Sequence, residues 1–373
     1  MKPIKVLLAF GTRPEAIKMA PLVKVLQAQP EKFETIVAVT GQHRQMLDQV
    51  LAAFAITPDL DLSVMKPGQT LYDVTSNVLL GMKSVLEEKQ PDLVLVHGDT
   101  TTTFATALAA FYQQIPVGHV EAGLRTYDIY SPFPEEFNRQ ATGNIATLHF
   151  APTEVAKAHL LQEQKNAEHI FVTGNTAIDA LKTTVTAEYS HPILEWVGDK
   201  KMILLTAHRR ENLGEPMHNM FRAIRRIVEE HPELKVVYPV HLNPLVQTAA
   251  AEVLGNHERI RLIEPLEVLD FHNFLNQAHI ILTDSGGIQE EAPSLGKPVL
   301  VMRDTTERPE GVAAGTLKLV GTNETTIYQE FTTLLTDQAA YEAMSHAANP
   351  YGDGTASEQI SQAIFTYFDS LSK

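Results

Sequence analysis

Two adjacent glycines follow a short apolar run in the segment "HIILTDSGGIQEE". Gly286 and Gly287 come directly after Ser285, at the point where a predicted strand gives way to a helix. Because glycine has no Cβ, a diphosphate group can approach the backbone N–H groups at such a helix start. Glu291 falls one turn into that helix, where its carboxylate can accept hydrogen bonds from ribose hydroxyls. The segment predicts a diphosphate and ribose site, with a glycine-rich turn before an acidic helical turn as the competing interpretation.

Positively charged side chains also follow predicted strands. Arg13 and Lys18 lie at or just inside the helix start in "FGTRPEAIKMAPL", where backbone N–H groups favour an anion. His208 ends another strand and is followed by two arginines, which indicates contact with an anion. Arg308 follows a later strand and is available as a further ligand contact. A capped helix with solvated charges is the alternative for Arg13 and Lys18.

Three acidic side chains stand out in the first half of the chain, and two of them, Asp99 and Glu121, directly follow predicted strands. They are Asp99 in "VHGDTTTT", Glu121 in "GHVEAGLRT" and Glu135 in "SPFPEEFNRQ". Carboxylates that share one cleft push their pKa values apart, which provides both an acid and a base. Asp99 could instead cap a helix, and Glu135 could pair with Arg139 four residues on.

Composition narrows the classes of function. The 373 residues carry 45 acids against 30 bases, a formal charge of −15, which disfavours nucleic acid and anionic membranes as partners. There is no cysteine, so thiol chemistry is excluded, and the 15 histidines show no metal-ligand spacing. The N-terminus is not typical of a signal peptide, and no run approaches the length of a membrane span. We expect a cytoplasmic protein without a metal.

Short apolar runs alternate with longer helical patterns, and this alternation occurs once in each half of the chain. Such runs are typical of parallel sheets covered on both faces, so the sequence predicts two doubly wound α/β domains. Ligands bind such sheets at the carboxyl ends of the strands, which favours a cleft between the domains. The dinucleotide fingerprint G-x-G-x-x-G is absent after the first strand, which disfavours a nicotinamide-binding first domain. The predicted strands are "KVLLAF", "ETIVAVT", "DLVLVHG", "PVGHV", "TLHFAP", "KMILLTA", "LKVVYPV", "HIILTD", "KPVLVM" and "LKLVG".

Together these motifs resemble the bacterial non-hydrolysing UDP-N-acetylglucosamine 2-epimerases, in matching order from Lys5 to about Gly354. The resemblance implies a GT-B architecture, with two Rossmann-like domains and a ligand cleft between them. The first domain would span residues 1–172 and be joined by a C-terminal helix at 355–373, and a UDP-binding domain would span 173–354. The resemblance also implies a cytoplasmic homodimer. Its activity would interconvert UDP-N-acetylglucosamine and UDP-N-acetylmannosamine and supply N-acetylmannosamine for cell-surface polymers.

The resemblance assigns a role to each motif residue. It implies that Asp99, Glu121 and Glu135 are the catalytic carboxylates, with Glu135 preferred to Glu136 on motif position. His208 would act beside them and help to hold the diphosphate. The implied substrate-binding residues are Arg13, Lys18, Phe271 against the uracil, Ser285, Gly286, Gly287, Glu291 on the ribose, and Arg308.

Some members of this family are activated by a second UDP-N-acetylglucosamine. Gln42, Glu136, Arg210 and His241 match motif positions of that second pocket. This chain reads "KPGQTL" at residues 66–71, where activated relatives carry a basic residue. The resemblance therefore leaves an activating site as an open hypothesis.

The chemistry favours elimination. The proton on carbon 2 is not adjacent to a carbonyl, but it neighbours the anomeric carbon, which carries UDP as a leaving group. Loss of both gives 2-acetamidoglucal, and UDP then re-adds while a proton returns from the other face, with no cofactor. A GT-B glycosyltransferase, a hydrolysing epimerase and a non-enzymatic sugar-nucleotide sensor are the alternatives.

Overall fold

The computed structural model describes residues 2–41, 44–64, 66 and 68–371. The chain forms two compact units. The first comprises Met1–Thr183 together with Tyr351–Lys373, and the second comprises Thr184–Pro350. The chain therefore leaves the first unit once and returns to it once.

A seven-stranded sheet forms the centre of the first unit, and every strand pair in it is parallel. The strand order is β3-β2-β1-β4-β5-β6-β7. β2 and β3 extend the sheet on one side of β1, and β4 to β7 extend it on the other side. The strand order therefore reverses between β1 and β4, and open parallel sheets bind ligands at such a point. The strands are β1 Ile4–Phe10, β2 Phe33–Val39, β3 Leu60–Asp61, β4 Leu93–His97, β5 Val117–Val120, β6 Leu148–Ala151 and β7 Ile170–Val172.

Helices cover both faces of this sheet. The five residues of β4 are all buried, as are all four of β5, which is why these strands read as continuous apolar runs rather than alternating ones. The helices are α1 Arg13–Gln27, α2 Arg44–Ala53, α3 Leu71–Lys89, α4 Thr101–Tyr112, α5 Glu135–Ile145, α6 Glu154–Gln162 and α7 Thr176–Thr184.

The second unit contains a six-stranded parallel sheet in the order β10-β9-β8-β11-β12-β13. Its order reverses between β8 and β11. The strands are β8 Lys201–Thr206, β9 Leu234–Pro239, β10 Ile260–Ile263, β11 Ile280–Thr283, β12 Val299–Val301 and β13 Leu317–Leu319. The helices are α8 Pro192–Val197, α9 Glu215–Glu230, α10 Pro244–Leu254, α11 Val268–Gln277, α12 Ile288–Ser294, α13 Pro309–Ala314, α14 Glu324–Thr336 and α15 Gln338–Ser345.

A final helix, α16 Ala356–Leu371, belongs to the first unit. The buried carboxylate of Asp179 accepts hydrogen bonds from the backbone N–H groups of Ala356 (3.2 Å) and Ser357 (2.7 Å). These amides have no partner within their own helix, so Asp179 on α7 satisfies the start of α16. α7 and α16 therefore lie together in the first unit.

The predicted doubly wound parallel architecture is confirmed in each unit. Three short strands of two to four residues, β3, β7 and β10, were not predicted. None of the helices in the described part of the chain combines the length and the apolar character needed to cross a membrane.

Candidate active site

The loop after β4 carries Asp99. Gly98 has a positive φ of 67°, which turns the chain sharply at the end of the strand. The cap of α4 is Thr100, whose hydroxyl accepts from the N–H of Thr103 at 3.1 Å. The interpretation of Asp99 as the helix cap is therefore wrong, because the neighbouring threonine already satisfies that amide.

Asp99 is held by two residues of α5. Arg139 Nη2 donates to Asp99 Oδ2 at 2.7 Å, and Asn138 Nδ2 donates to the backbone oxygen of Asp99 at 3.0 Å. Arg139 also lies 3.5 Å from Glu136. The alternative interpretation, a Glu135–Arg139 pair, is therefore replaced by contacts to Asp99 and Glu136, because the Arg139 side chain reaches the β4 loop.

The environment of Asp99 shifts its pKa upwards. Burial raises the pKa of Asp99 to about 6, and the charges of Glu121 and Glu135 act in the same direction. The charges of Arg139 and Lys18 oppose this shift. The side chain keeps 27% of its surface exposed. Asp99 is therefore an accessible carboxyl group that exchanges its proton near neutral pH.

Glu121 follows β5 with a positive φ of 64°. Such a backbone conformation is unfavourable for a residue with a side chain and is found at sites where a side chain must be aimed. The Glu121 carboxylate forms an ion pair with Lys18 of α1 and accepts a hydrogen bond from Asn175 Nδ2 at 3.0 Å. His97 Nε2 lies 3.6 Å from the same oxygen. Glu121 therefore joins residues from three separate elements.

His97 is a neutral neighbour of Glu121. Burial lowers the pKa of His97 to about 4, although the charge of Glu121 opposes this shift. Among the described residues, neither ring nitrogen of His97 has a hydrogen-bond partner. A neutral imidazole beside Glu121 leaves Lys18 as the cationic partner of that carboxylate.

A buried carboxylate ties the β1 loop to the β4 loop. Glu15 Oε2 accepts from the N–H groups of Gly11 (3.0 Å) and Thr12 (2.8 Å), which is the capping box of α1. Glu15 Oε1 accepts from the hydroxyls of Thr100 (2.6 Å) and Thr103 (3.2 Å). Glu15 therefore fixes the loop that precedes half-buried Arg13 and Lys18 against the loop that carries Asp99.

The two glutamates at the start of α5 have different surroundings. Glu136 is fully buried and accepts from the N–H groups of Thr126 (3.1 Å) and Tyr127 (2.9 Å) and from Gln140 Nε2 (2.7 Å). Glu135 is the first residue of α5 and is half-buried. The Glu136 carboxylate thus accepts hydrogen bonds from neighbouring groups of the protein, whereas the charge of Glu135 raises the pKa of Asp99.

In the second unit, Asp284 directly follows β11 and organises the loop after β8. Its fully buried carboxylate accepts from the N–H groups of His208 (3.0 Å) and Arg209 (2.9 Å) and from Asn212 Nδ2 (3.1 Å). Arg209 Nε also donates to the backbone oxygen of Asp284 at 3.2 Å. This network places His208 next to the glycine segment.

Gly286 and Gly287 do not need to be glycine for the chain itself. Neither has a positive φ, and Gly287 has helical angles of −62° and −40°. A Cβ on Gly286 would meet its nearest neighbour, Arg209 Nη2, at 3.5 Å, and one on Gly287 would meet Glu291 Oε1 at 3.8 Å, which are ordinary contacts. Ser285 is half-buried beside them. Because neither the backbone angles nor the neighbouring atoms require glycine here, the two glycines are consistent with the close approach of a ligand.

His208 stacks on His241, with ring centroids 5.3 Å apart and planes inclined by 12°. Burial lowers the pKa of His208, the charges of His241 and Arg209 lower it further, and the charge of Asp284 opposes them. Arg210 is exposed in the 3-10 turn Arg210–Asn212. Of the predicted activating residues, Gln42 lies outside the described residues.

The remaining predicted ligand contacts are on α11, α12 and α13. Glu291 Oε2 lies 3.8 Å from Nε2 of buried His272. Arg308 forms an ion pair with buried Glu290, which directs it back to α12. Phe271 is half-buried against the core of the second unit.

The first unit thus brings Asp99, Glu121, Glu135 and Lys18 together, and the second brings His208 to the Ser285–Gly287 segment. Sequence reasoning missed the contacts of Asn175 and Asp284, although both follow strands, which was the available signal. In the part of the chain that the structure describes, no cluster of three acidic or histidine side chains is placed to hold a metal ion.

Two Rossmann-like parallel-sheet units with polar residues at their strand ends define an α/β enzyme of the GT-B class. Residues 24–365 match the family described as UDP-N-acetylglucosamine 2-epimerase. The chain belongs to this family and is an isomerase of this kind, which confirms the expected membership of the non-hydrolysing type.

Relatives share nearly the whole chain. The UDP-N-acetylglucosamine 2-epimerase of Bacillus subtilis strain 168 is 66% identical over 368 residues, covering 99% of this chain and 97% of the relative. A co-structure of S. aureus MnaA with UDP has a TM-score of 0.90 at 56% identity, covering 99% of this chain and 98% of that one. The Neisseria meningitidis UDP-GlcNAc 2-epimerase bound to UDP-GlcNAc has a TM-score of 0.87 at 51% identity, covering 97% and 100%.

Proposed function

We propose that this protein reversibly epimerises carbon 2 of UDP-N-acetylglucosamine to give UDP-N-acetylmannosamine. The observation that carries the proposal is the group of Glu121, Glu135 and Lys18 whose charges act on Asp99, with a pKa of about 6 for Asp99. Family membership and the relatives with UDP or UDP-GlcNAc bound support the same substrate.

The reaction proceeds by elimination and re-addition. One carboxylate takes the proton from carbon 2, the bond between carbon 1 and the β-phosphate oxygen breaks, and the electron pair of the C–H bond forms the double bond of 2-acetamidoglucal. UDP leaves with the electron pair of the broken bond. Re-addition of UDP to carbon 1 and delivery of a proton to the opposite face of carbon 2 complete the epimerisation. Two acid–base groups on different sides of the ring are required.

The first unit supplies the groups for proton transfer. Asp99 exchanges its proton near neutral pH, so it can act as either acid or base during the cycle. Glu121 is held in position by Lys18 and Asn175. Glu135 joins this group from the first residue of α5.

The nucleotide is assigned mainly to the second unit. Ser285, Gly286 and Gly287 would receive the diphosphate, because the glycines leave backbone amides open to close approach. His208 would stabilise the charge that develops on the departing UDP, together with Arg13 and Lys18. The remaining proposed contacts are Glu291 to the ribose, Phe271 to the uracil and Arg308 to the nucleotide.

Four further properties belong to this proposal. They are assembly as a homodimer, a cytoplasmic location, a supply of N-acetylmannosamine units for cell-surface polymers, and activation by a second UDP-N-acetylglucosamine through Gln42, Glu136, Arg210 and His241. Sedimentation equilibrium tests the first. Rates measured down to low substrate concentration test the last: a sigmoidal dependence supports activation, and a simple hyperbola contradicts it.

The experiment that tests the function is proton NMR of the protein with UDP-N-acetylglucosamine in heavy water, without added cofactor, metal or acceptor. We expect UDP-N-acetylmannosamine to appear with deuterium at carbon 2. The D99N, E121Q and E135Q variants should each slow this exchange, whereas D304N, an exposed aspartate after β12, should not. Unchanged and undeuterated substrate that still shows saturation-transfer contacts would contradict the chemistry and leave a sugar-nucleotide binding site.

A further inference from the structure

Asn175 lies between β7 and α7 and uses both ends of its side-chain amide. Oδ1 accepts from the N–H of Ala177 at 2.9 Å and caps the start of α7. Nδ2 donates to Glu121 Oε2 at 3.0 Å. Only the oxygen can accept from the helix amide, so the NH2 group necessarily faces Glu121. Asn175 is 4% exposed, so water does not compete freely for either contact.

The backbone on both sides of this amide is fixed. The N–H of Asn175 donates to the backbone oxygen of Tyr351 at 2.7 Å. Gly174 has a φ of 84°, and a Cβ there would meet the same oxygen at 2.9 Å and Gly352 Cα at 3.0 Å. The backbone at Gly174 and Asn175 therefore packs directly against the backbone at Tyr351 and Gly352, where the chain returns to the first unit. Asn175 cannot move toward or away from Glu121 without disturbing this contact.

Asn175 gives Glu121 a partner of a different kind from Lys18. Lys18 is a cation on a flexible stem, whereas Asn175 is a neutral donor on a fixed backbone. A hydrogen bond from a fixed donor orients the carboxylate without adding a second positive charge to it. This matters because Glu121 already has the unfavourable φ of 64°, so its direction depends on its contacts.

We propose that Asn175 is a positioning residue that orients the Glu121 carboxylate for proton transfer at carbon 2. This inference rests on the proposed function, because it assumes that Glu121 acts on the sugar. Asn175 itself contacts neither the sugar nor the nucleotide in this assignment. Its contribution is the direction of the Glu121 oxygens relative to Asp99 and Lys18.

The decisive variant is N175D, which keeps the shape of the side chain and the oxygen that caps α7. It replaces the donor with an oxygen about 3 Å from a Glu121 oxygen, so the two carboxylates repel each other when both are ionised, and the pair takes up one proton at a raised pKa. We expect kcat at pH 8 to fall about tenfold to a hundredfold, while KM changes by less than about threefold. As the pH falls, a protonated Asp at position 175 regains the donor, so the ratio of variant to wild-type kcat should rise.

Two further variants separate positioning from folding. N175S keeps a hydroxyl that can cap α7 but does not reach Glu121, so kcat should fall without recovery at low pH. N166D makes the same Asn-to-Asp change at the cap of the 3-10 turn Ala167–His169, where the side chain accepts from Glu168 N–H at 3.0 Å. It should leave kcat and its pH dependence as in the wild type. Melting temperatures establish that each variant is folded at the assay temperature.

The outcomes distinguish this inference from the function on which it rests. If the wild-type protein does not exchange the proton at carbon 2, the proposed function falls. If the wild type exchanges it, but N175D and N175S keep kcat within about twofold and an unchanged pH profile, the positioning role of Asn175 is wrong. A loss of kcat in N175D that is reversed at low pH, together with an unaltered N166D, establishes the role.

Discussion

Arg139 Nη2 lies 2.7 Å from Asp99 Oδ2, although the two residues are 40 positions apart. Arg139 and Glu135 belong to the same helix, α5, and their charges have opposite effects on the pKa of Asp99. Burial raises this pKa to about 6, Glu135 adds to the shift, and Arg139 limits it. Two residues of one helix therefore adjust, in opposite directions, a pKa on a neighbouring loop that burial has raised.

The R139M variant should raise the pKa of Asp99 above about 6, because it removes the cation that opposes burial. If the ionised form of Asp99 is the active one, kcat/KM falls as the pH drops through this pKa. The acidic limb of the profile should then move to higher pH in R139M. For each pH unit that the limb moves, kcat/KM at a fixed pH on the acidic side should fall about tenfold. The measurement is the pH dependence of deuterium exchange at carbon 2.

R226M provides the control for this experiment. Arg226 pairs with Glu230 on an exposed face of α9 in the second unit, so its loss should leave the acidic limb in place. An acidic limb that stays at the same pH in R139M would show that a group other than Asp99 controls it.

Substitution of Glu15 should separate the requirement for hydrogen bonding from the requirement for charge. Burial raises the pKa of Glu15 despite its hydrogen bonds from Thr100 and Thr12, so the ionised form is costly there. A glutamine can still accept from Gly11 and Thr12 and donate to the threonine hydroxyls, whereas E15A leaves buried N–H groups unsatisfied. We expect E15A to lower the free energy of unfolding by about 2–4 kcal/mol and E15Q by clearly less, as measured by urea denaturation. Equal losses in the two variants would contradict this account.

The D284N variant should change the binding of UDP through His208. The charge of Asp284 opposes the burial that lowers the pKa of His208, so removing the charge lowers this pKa further. If protonated His208 helps to bind the diphosphate, UDP binds more tightly once the pH falls below the pKa of His208. In D284N this gain in affinity should therefore begin at a lower pH than in the wild type. Calorimetry with UDP across pH 5–8 and NMR titration of the His208 ring measure the two effects.

D304N is the matched control for D284N, since Asp304 is an exposed aspartate in the same unit. It should leave both titrations as in the wild type. Should D284N bind UDP with an unaltered pH dependence while the His208 titration moves, protonation of His208 would have no part in binding.

Gly287 should tolerate a methyl group in the free protein but not in the complex. The backbone already has helical angles, and a Cβ would have no neighbour closer than 3.8 Å. G287A should therefore keep the melting temperature within about 2 °C or raise it, since alanine restricts the unfolded chain. Its affinity for UDP should fall about tenfold or more if the diphosphate approaches the backbone there.

G174A gives the opposite pattern and serves as the comparison for G287A. Gly174 has a φ of 84°, and its Cβ would come within 2.9 Å of the backbone oxygen of Tyr351. We expect a lower melting temperature with little change in UDP affinity, because Gly174 is not among the residues assigned to the nucleotide. Unchanged UDP affinity in G287A would argue against a diphosphate at the Ser285–Gly287 segment.

The architecture and the position of the motifs could be predicted from the sequence because both depend on neighbouring residues. The segments that became β1, β4, β8 and β11 are six or seven residues long and lack alternation, which is the pattern of a strand buried on both faces. The residues that follow such strands in parallel sheets lie at the edge where ligands bind, so the sequence predicts Asp99, Glu121 and the Ser285–Gly287 segment as candidate site residues. The two-residue β3 could not, since two residues carry no period.

The sequence by itself determined which side chains stand at the ends of the strands, because strand and helix formation are decided by local spacing and capping. Only the tertiary structure decided how these side chains pair. Arg139 forms its hydrogen bond with Asp99 rather than with Glu135, and Asn175 forms one with Glu121, 54 positions away. The pKa of about 6 for Asp99 also follows from burial and from charges on other elements, which no local pattern contains.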